Sequence, residues 1–423
     1  MNKIIFKPKT DNTTQELQSA IDKAAASGAE LIIPAGIYVC GTLFMRSGLT
    51  ITLERGAYIL GSERFEDYSD KVNLFTDAVD NKRGRSLIYA DGIENLTIRG
   101  EGAIDGRGEL FSETHPHHLE RPFLVRIMNS KNLSFSGIQL KKSAAWTLHL
   151  QNCENIDMKN LFINSRVNGN NDGIDIDSCR SCRIEGCFID TGDDAICLKS
   201  TFDKPCSNVA VTGCVITTNW AGFKVGTESV GDFENITFTN SYIYDCNGCA
   251  IKLCPVDGGN LKNLTISNIQ LNNATGPIFI AGGDRLREYQ PGNSRCTAGA
   301  ISDILIENIS GKCINAIGTT YKGEAWGNAK SCICISGTKD NKVKNLTVRN
   351  ITLEMAGGVN EYTYHEIPEM EKRYPEFHNF GVLPAWGLFV RNAENFIYTD
   401  VNMTCTATDV RDEVWFDDEH SGS

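Results

Sequence analysis

The sequence predicts an all-β chain wound as a parallel β-helix and covered at its N-terminal end by a capping helix. Three observations carry this. A phrase of the form Asn-apolar-x-apolar-x-(Asn/Gly) recurs along most of the 423 residues. Its central copies are spaced by steps in the twenties, the period of a solenoid. Within and between copies, short alternating runs are broken by Gly, Asn and Asp, with no segment of helical period long enough for a helical repeat.

The elements follow in order. TTQELQSAIDKAAASG reads as an amphipathic helix over 13–26 ended by Gly28, followed by a strand and a Pro-Ala-Gly turn. The first apolar positions of the repeat are Leu96, Leu133, Ile156, Cys182, Val209, Ile236, Leu264, Ile304, Leu346 and Phe396. From Leu133 to Leu264 the steps are 23, 26, 27, 27 and 28, and outside that stretch they lengthen to between 37 and 50, where loops leave the rungs. The expectation is one domain over 1–423, with the cap and first strands in 1–60 and rungs with loop insertions in 90–405. The insertions 284–298 and 361–381 are too polar and aromatic to be rungs, and they offer Tyr289, Tyr364 and Tyr374 as sugar-stacking rings in a groove wall.

Composition narrows the function classes. A net charge of −12 argues against a nucleic-acid or anionic-membrane surface, so an anionic substrate needs a few placed cations. No run of 18 apolar residues occurs, and MNKIIFKPKT lacks the apolar stretch of a signal peptide, so the expected location is cytoplasmic. The 16 cysteines are diluted over a long chain. Cys153, Cys179 and Cys206 each lie three residues before a first apolar position, and Cys187 and Cys214 five after it, so they read as reduced thiols stacked inside the coil. A zinc site from Cys179-x-x-Cys182 and Cys246-x-x-Cys249 is the rival, disfavoured because Cys182 occupies a core position of the repeat.

Stacked rungs turn equal offsets into columns at the spacing of neighbouring strands. Matching Leu148/Leu150, Ile174/Ile176, Ile196/Leu198, Phe223/Val225 and Ile251/Leu253 gives three columns. One holds Trp146, Asp172, Asp194, Ala221 and Cys249; the next holds Ala145, Asn171, Asp193, Trp220 and Gly248; the outward one holds His149, Asp175, Cys197, Lys224 and Lys252. Asp172, Asp175, Asp193 and Asp194 are thus expected on one patch, flanked by His149, Lys224 and Lys252. Crowded carboxylates repel, so one is expected to keep its proton, and an acid beside a carboxylate is the equipment of glycosidic cleavage. A lone Asp in a solenoid turn is more often structural; a doublet stacked near two more is harder to explain that way. Calcium is the other rival for an acidic cluster, weighed against by the adjacent lysines, so no metal or cofactor is expected.

These residues resemble the polygalacturonase family of glycoside hydrolases, family 28. Asn170-Asn171-Asp172 matches its Asn-x-Asp motif and Gly192-Asp193-Asp194 its Gly-Asp-Asp motif. The resemblance implies a right-handed parallel β-helix and inversion at the anomeric carbon, with Asp193 as general acid and Asp172 and Asp194 positioning and deprotonating water. Two motifs depart from the pattern: Gly-His-Gly falls on Trp220-Ala221-Gly222, and Arg-Ile-Lys on Ala250-Ile251-Lys252. GFKVGTES resembles a bacterial subgroup and places Lys224 one rung before Lys252, so the lysine pair is expected to clamp a uronate carboxylate in place of Arg and Lys. His149, Asp175 and Asn171 complete the expected substrate-binding set, His149 reading equally as a structural partner.

The resulting expectation is an exo-acting hydrolase of galacturonate-containing pectic oligosaccharides, of homogalacturonan or rhamnogalacturonan type. Its partner is an oligo- or polysaccharide, with no nucleic acid or membrane. A β-helix polysaccharide lyase using Lys224 or Lys252 as base is one alternative, and a catalytically decayed carbohydrate-binding solenoid the other. His115, His117 and His118, in an insertion before Leu133, read as a metal set or as a loop against the cleft.

Overall fold

The computed structural model describes residues 2–8, 13–314, 319–321, 324–326, 331–369 and 371–417, with backbone alone for 319–321 and 324–326. It comprises two compact units, Met1–Asp193 and Asp194–Ser423. Both are built from parallel strands, and the fold is a right-handed parallel β-helix.

In the first unit three walls of strands alternate along the chain. The first wall stacks Glu30–Ile33, Thr50–Leu53, Glu94–Gly100, Lys131–Ser136, Glu154–Lys159 and Arg180–Glu185, all parallel. The second contains Leu43–Phe44, Ser86–Asp91, Phe123–Met128, Leu148–Gln151 and Ile174–Asp177. The third contains Gly36–Cys40, Ala57–Gly61, Ala103–Asp105, Gln139–Lys141, Phe162–Ser165 and Phe188–Thr191. The predicted repeat supplies the first wall: Leu96, Leu133, Ile156 and Cys182 are register partners, as are Ile98, Phe135, Met158 and Ile184. All eight are buried, and each large apolar side chain removed from water contributes about 1.5–3 kcal/mol.

The second unit repeats this arrangement. Val209, Ile236, Leu264, Ile304, Leu346 and Phe396 are successive partners in its first wall. Its second wall stacks Ile196–Ser200, Phe223–Ser229, Cys249–Pro255, Gly276–Ala281, Ile333–Ser336, Ala385–Arg391 and Asp412–Phe416.

The Asn of the repeated phrase has a physical reason. Asn95, Asn132, Asn155, Asn208, Asn235, Asn263, Asn345 and Asn395 all take positive φ immediately before the first apolar residue, a left-handed bend that Asn tolerates better than most side chains. Their amides also bond rung to rung, as in Asn155 to Asn132 to Asn95 and Asn263 to Asn235 to Asn208.

The helix spans Thr13–Ser27, one residue past the expected end, and Gly28 follows at φ +62. Leu17, Ile21 and Ala24, spaced for one helical face, are buried. Leu17 and Ile21 line the apolar interior together with Ile33, Leu43, Met45 and Ile51, so the helix does cover the first coils of this unit. Gln18 fixes it by receiving the Phe44 N–H at 2.8 Å and donating to the Phe44 carbonyl at 3.0 Å.

The cysteines form no disulfide, and all but Cys296 and Cys405 are buried. Cys179 donates to the Leu150 and Asp177 carbonyls, both at 3.3 Å, and Cys246 to the Trp220 carbonyl at 3.2 Å. Burial raises the Cys254 thiol to about 12. Buried thiols that donate to backbone carbonyls fit the stacked-core reading.

Candidate active site

In the first unit the site is built on the turn that enters strand Ile174–Asp177. Asn171 locks that turn: its Oδ1 accepts the Val167 and Asn168 N–H groups at 2.8 and 2.7 Å, and its Nδ2 donates to the Ser143 and Ala145 carbonyls at 2.8 and 2.9 Å. This corrects the expectation that Asn171 binds substrate, because four backbone groups consume its amide. Asp172 follows, 3% exposed, its carbonyl accepting Thr147 N–H at 2.9 Å. The next rung brings up Asp193, whose carbonyl accepts the Thr191 hydroxyl at 2.8 Å. Carboxylate oxygens of Asp172 and Asp193 lie within 4.8 Å of one another, and Asp193 is the half-exposed one.

Three neighbours of this pair were not among the expected site residues. Asn170 donates to Asp193 Oδ2 at 3.5 Å, while its Oδ1 accepts from Arg83 at 3.1 Å and Arg121 at 3.2 Å. Both guanidiniums are buried. Arg83 is paired with Asp77 at 3.3 Å, whereas Arg121 donates to the carbonyls of Ala144, His118 and Gly169. Burial lowers the pKa of both, and Asp77, Asp172 and Asp193 act against that. Arg83, at the end of the short strand Lys82–Arg83, and Arg121, in a loop, are far from Asp172 in sequence, so no spacing rule connects them; Asn170 was visible only as the first letter of its motif.

His149 and Asp175 are register partners, as expected, but both are fully buried. His149 stands among Phe75, Phe123 and Trp146 at centroid distances of 5.2, 5.6 and 5.1 Å, with Nε2 3.5 Å from Asp177. The expectation that they contact a sugar is corrected: both side chains are sealed from solvent, and His149 is held among aromatic rings. Of the loop histidines, His117 stacks on Phe65 at 4.0 Å and His118 Nδ1 lies 2.9 Å from the Phe111 carbonyl, so they pin the loop.

In the second unit Asp194 has a different environment from its neighbour. Lys224 Nζ donates to Asp194 Oδ2 at 2.6 Å and to the Tyr374 hydroxyl at 2.9 Å, and Ala221 N–H donates to Asp194 Oδ1 at 3.3 Å. Lys252 stacks one rung on in register with Lys224, and it pairs with Glu376. Burial alone would lower both lysines, but Asp194 and Glu376 outweigh it and hold them above the usual range. The expected lysine clamp is thereby corrected: both ammonium groups are buried and bonded to carboxylates of the chain itself. Glu376 and the lysine-bonded Tyr374 hydroxyl come from a loop whose partners the repeat arithmetic could not show.

The expected stacking tyrosines also divide. Tyr289 is buried and donates to Asp257 Oδ2 at 2.9 Å. Tyr364 is exposed and stacks on Trp415 at 5.7 Å. Tyr374 is half-buried, with Lys224 and Lys252 at 5.4 and 5.7 Å from its ring centroid. Its phenol is pushed up to about 12 by burial, against the pull of the two lysines.

A carboxylate pair of this kind recurs in glycoside hydrolases, and residues 26–332 match the sequence profile of glycosyl hydrolases family 28. The chain belongs to that family. Its relatives are both bacterial and plant proteins. An exo-poly-α-D-galacturonosidase of Dickeya chrysanthemi is 22% identical over 419 residues, covering 81% of this chain and 69% of the relative. A probable polygalacturonase of Vitis vinifera is 26% identical over 291 residues, covering 64% of this family 28 chain and 59% of the relative. The chain spans 51% and 58% of two Arabidopsis thaliana relatives, so it matches little more than half of these plant proteins. Among solved structures, a hyperthermoactive exopolygalacturonase from Thermotoga maritima superposes with a TM-score of 0.68 at 20% identity over 84% of this chain and 87% of that one. A family 28 exopolygalacturonase from Yersinia enterocolitica gives 0.68 at 18% over 98% and 78%. At these identities the likeness shows the fold.

Proposed function

We propose that this family 28 chain hydrolyses glycosidic bonds of pectic oligosaccharides containing galacturonic acid, acting from a chain end. The observation that carries the reading is the unequal environment of the two aspartates in the doublet. Lys224 gives Asp194 an ammonium partner at 2.6 Å, whereas Asp193 receives a neutral amide from Asn170 and lies against Asp172. Asp193 is therefore assigned as general acid: its proton goes to the glycosidic oxygen as the bond from that oxygen to the anomeric carbon breaks. The roles of holding the attacking water and taking its proton go to Asp172 and Asp194 on the family likeness alone. Inversion is carried by the family likeness, since the oxygens of Asp172 and Asp193 approach more closely than the about 6.5–9.5 Å usual for an inverting pair. The chain-end preference is supported by the loops 284–298 and 361–381, which bring Arg285, Tyr374 and Glu376 onto the second wall.

The test is proton NMR of homogalacturonan and rhamnogalacturonan oligosaccharides incubated with the protein and with Asp193→Asn. The expected record is a new anomeric signal of inverted configuration, terminal units released first, and a loss of about 100-fold or more in rate for the variant. Vinyl signals of an unsaturated uronate would make it a lyase, and no change in any substrate would return the reading to a binding solenoid.

A further inference from the structure

Four cations of the second unit form one group, and each has its own carboxylate. Lys199 pairs with Glu228 at 3.3 Å, Lys224 with Asp194 at 2.6 Å, Arg285 with Asp257 at 2.6 Å, and Lys252 with Glu376. Asp194, Glu228 and Asp257 come from the second wall or the turns bordering it. Glu376 comes instead from the loop that carries Tyr374. The Tyr374 ring lies 5.4–5.7 Å from Lys224, Lys252 and Arg285, and it is half-exposed where both lysines are covered. A sugar reaching this group meets the ring, and the charge it feels is the sum of the pairs behind.

Whether Glu376 is a lid that a substrate displaces or a fixed neutraliser is decided by its anchors. Phe377 and Phe380, the next residues of the loop to be buried, pack on Phe279 at 6.0 and 5.8 Å, and the Phe279 ring lies 5.8 Å from Lys252 Nζ. The Glu376 carbonyl accepts Asn379 N–H at 3.1 Å, and Arg391 holds the earlier part of the loop through the Ile367 and Pro368 carbonyls at 2.7 and 3.2 Å. Withdrawing Glu376 would drag buried aromatic surface into water and leave Lys252 as a buried charge.

We infer that Glu376 determines specificity: by cancelling Lys252 it leaves no net charge behind Tyr374, so that the ring seats a sugar without a carboxylate in preference to a free uronate. A methyl-esterified uronate or a neutral hexose has that chemistry. An uncharged ring stacks on an aromatic face without losing ion hydration, whereas a free carboxylate brought to the same place is desolvated beside four cations that already hold carboxylates of the chain. The inference rests on the carbohydrate reading above and names the class of sugar that reading leaves open.

The experiment compares trigalacturonate with its fully methyl-esterified form, which has the same rings and length. The kcat/KM ratio is measured on the parent, on Glu376→Gln, on Lys252→Gln and on the double variant, and the same pair of oligomers is titrated by calorimetry into Asp193→Asn protein. The parent should favour the ester. Glu376→Gln leaves one positive charge and should move the ratio toward the free acid by about tenfold or more; Lys252→Gln leaves one negative charge and should move it the other way; the neutral double variant should return to the parent ratio. Opposite shifts in the single variants mean that either one that folds suffices. A parent preferring the free acid, single variants that leave the ratio within about twofold, or a double variant that keeps the shift of Glu376→Gln would each overturn the inference. Cleavage with an unmoved ratio sinks this inference alone, whereas absence of both cleavage and binding sinks the carbohydrate reading with it.

Discussion

Asp193 and Asp194 share a side chain and a peptide bond, and what separates them chemically is a lysine. The doublet and the lysine were readable as letters and offsets. The pairing was not, because which of two nearby carboxylates an ammonium bonds depends on side-chain torsions that spacing does not fix. The same reason explains Asn171, whose position in the motif was plain but whose amide turned out to serve the backbone. Buried pairs also set pH dependence. Burial would raise the Glu228 carboxyl, but Lys199, Lys224 and Arg285 outweigh it and hold it below the usual carboxylate range. A carboxylate depressed in the folded state stabilises the fold above its unfolded value, about 4.3, and that contribution fades as pH falls through the lower folded value. Glu228→Gln should therefore lower stability by about 3–5 kcal/mol at neutral pH, the usual result of breaking a buried pair. Its deficit should narrow below about pH 4.3. Chemical denaturation at a series of pH values checks both; a deficit independent of pH would mean the charge is not its source.

At the scale of the element, the repeat works because two requirements coincide in one phrase. An apolar pair at alternate positions faces inward and stacks on the pair below, and the Asn before it turns the chain through positive φ while its amide bonds the neighbouring rung. Both requirements are local, which is why they left a legible period. Asn235, exposed at φ +56 and bonded to Asn208 at 3.1 Å, isolates the effect. Asn235→Val should cost about 1–3 kcal/mol, because a β-branched residue is strained there. Asn235→Gly should cost less, since glycine takes that conformation freely. Urea midpoints measure the two. The loops obey no such period: 361–381 was recognisable as an insertion, but the destination of Tyr374 and Glu376 depends on how Phe377 and Phe380 find Phe279.

Over the whole molecule, a solenoid buries its interior only if its ends are closed, and the first unit closes one with a helix. Leu17, 1% exposed, is the test: Leu17→Ala should lower stability by about 2–5 kcal/mol in thermal or urea unfolding, whereas Ser19→Ala on the exposed face should stay within about 0.5 kcal/mol. By itself the sequence determined the β-helix, the helix that caps it, the register of the rungs and the two aspartate motifs of family 28, because each is written in local periodicity or in residues a few positions apart. Only the tertiary structure decided that Asn170, Arg83 and Arg121 gather around Asp193, that His149 and Asp175 are sealed, and that Lys224 and Lys252 are bonded to carboxylates of the chain. Those outcomes depend on loops more than a rung apart in sequence, whose meeting is set by the balance of desolvation against pairing at a buried charge. No period records that balance.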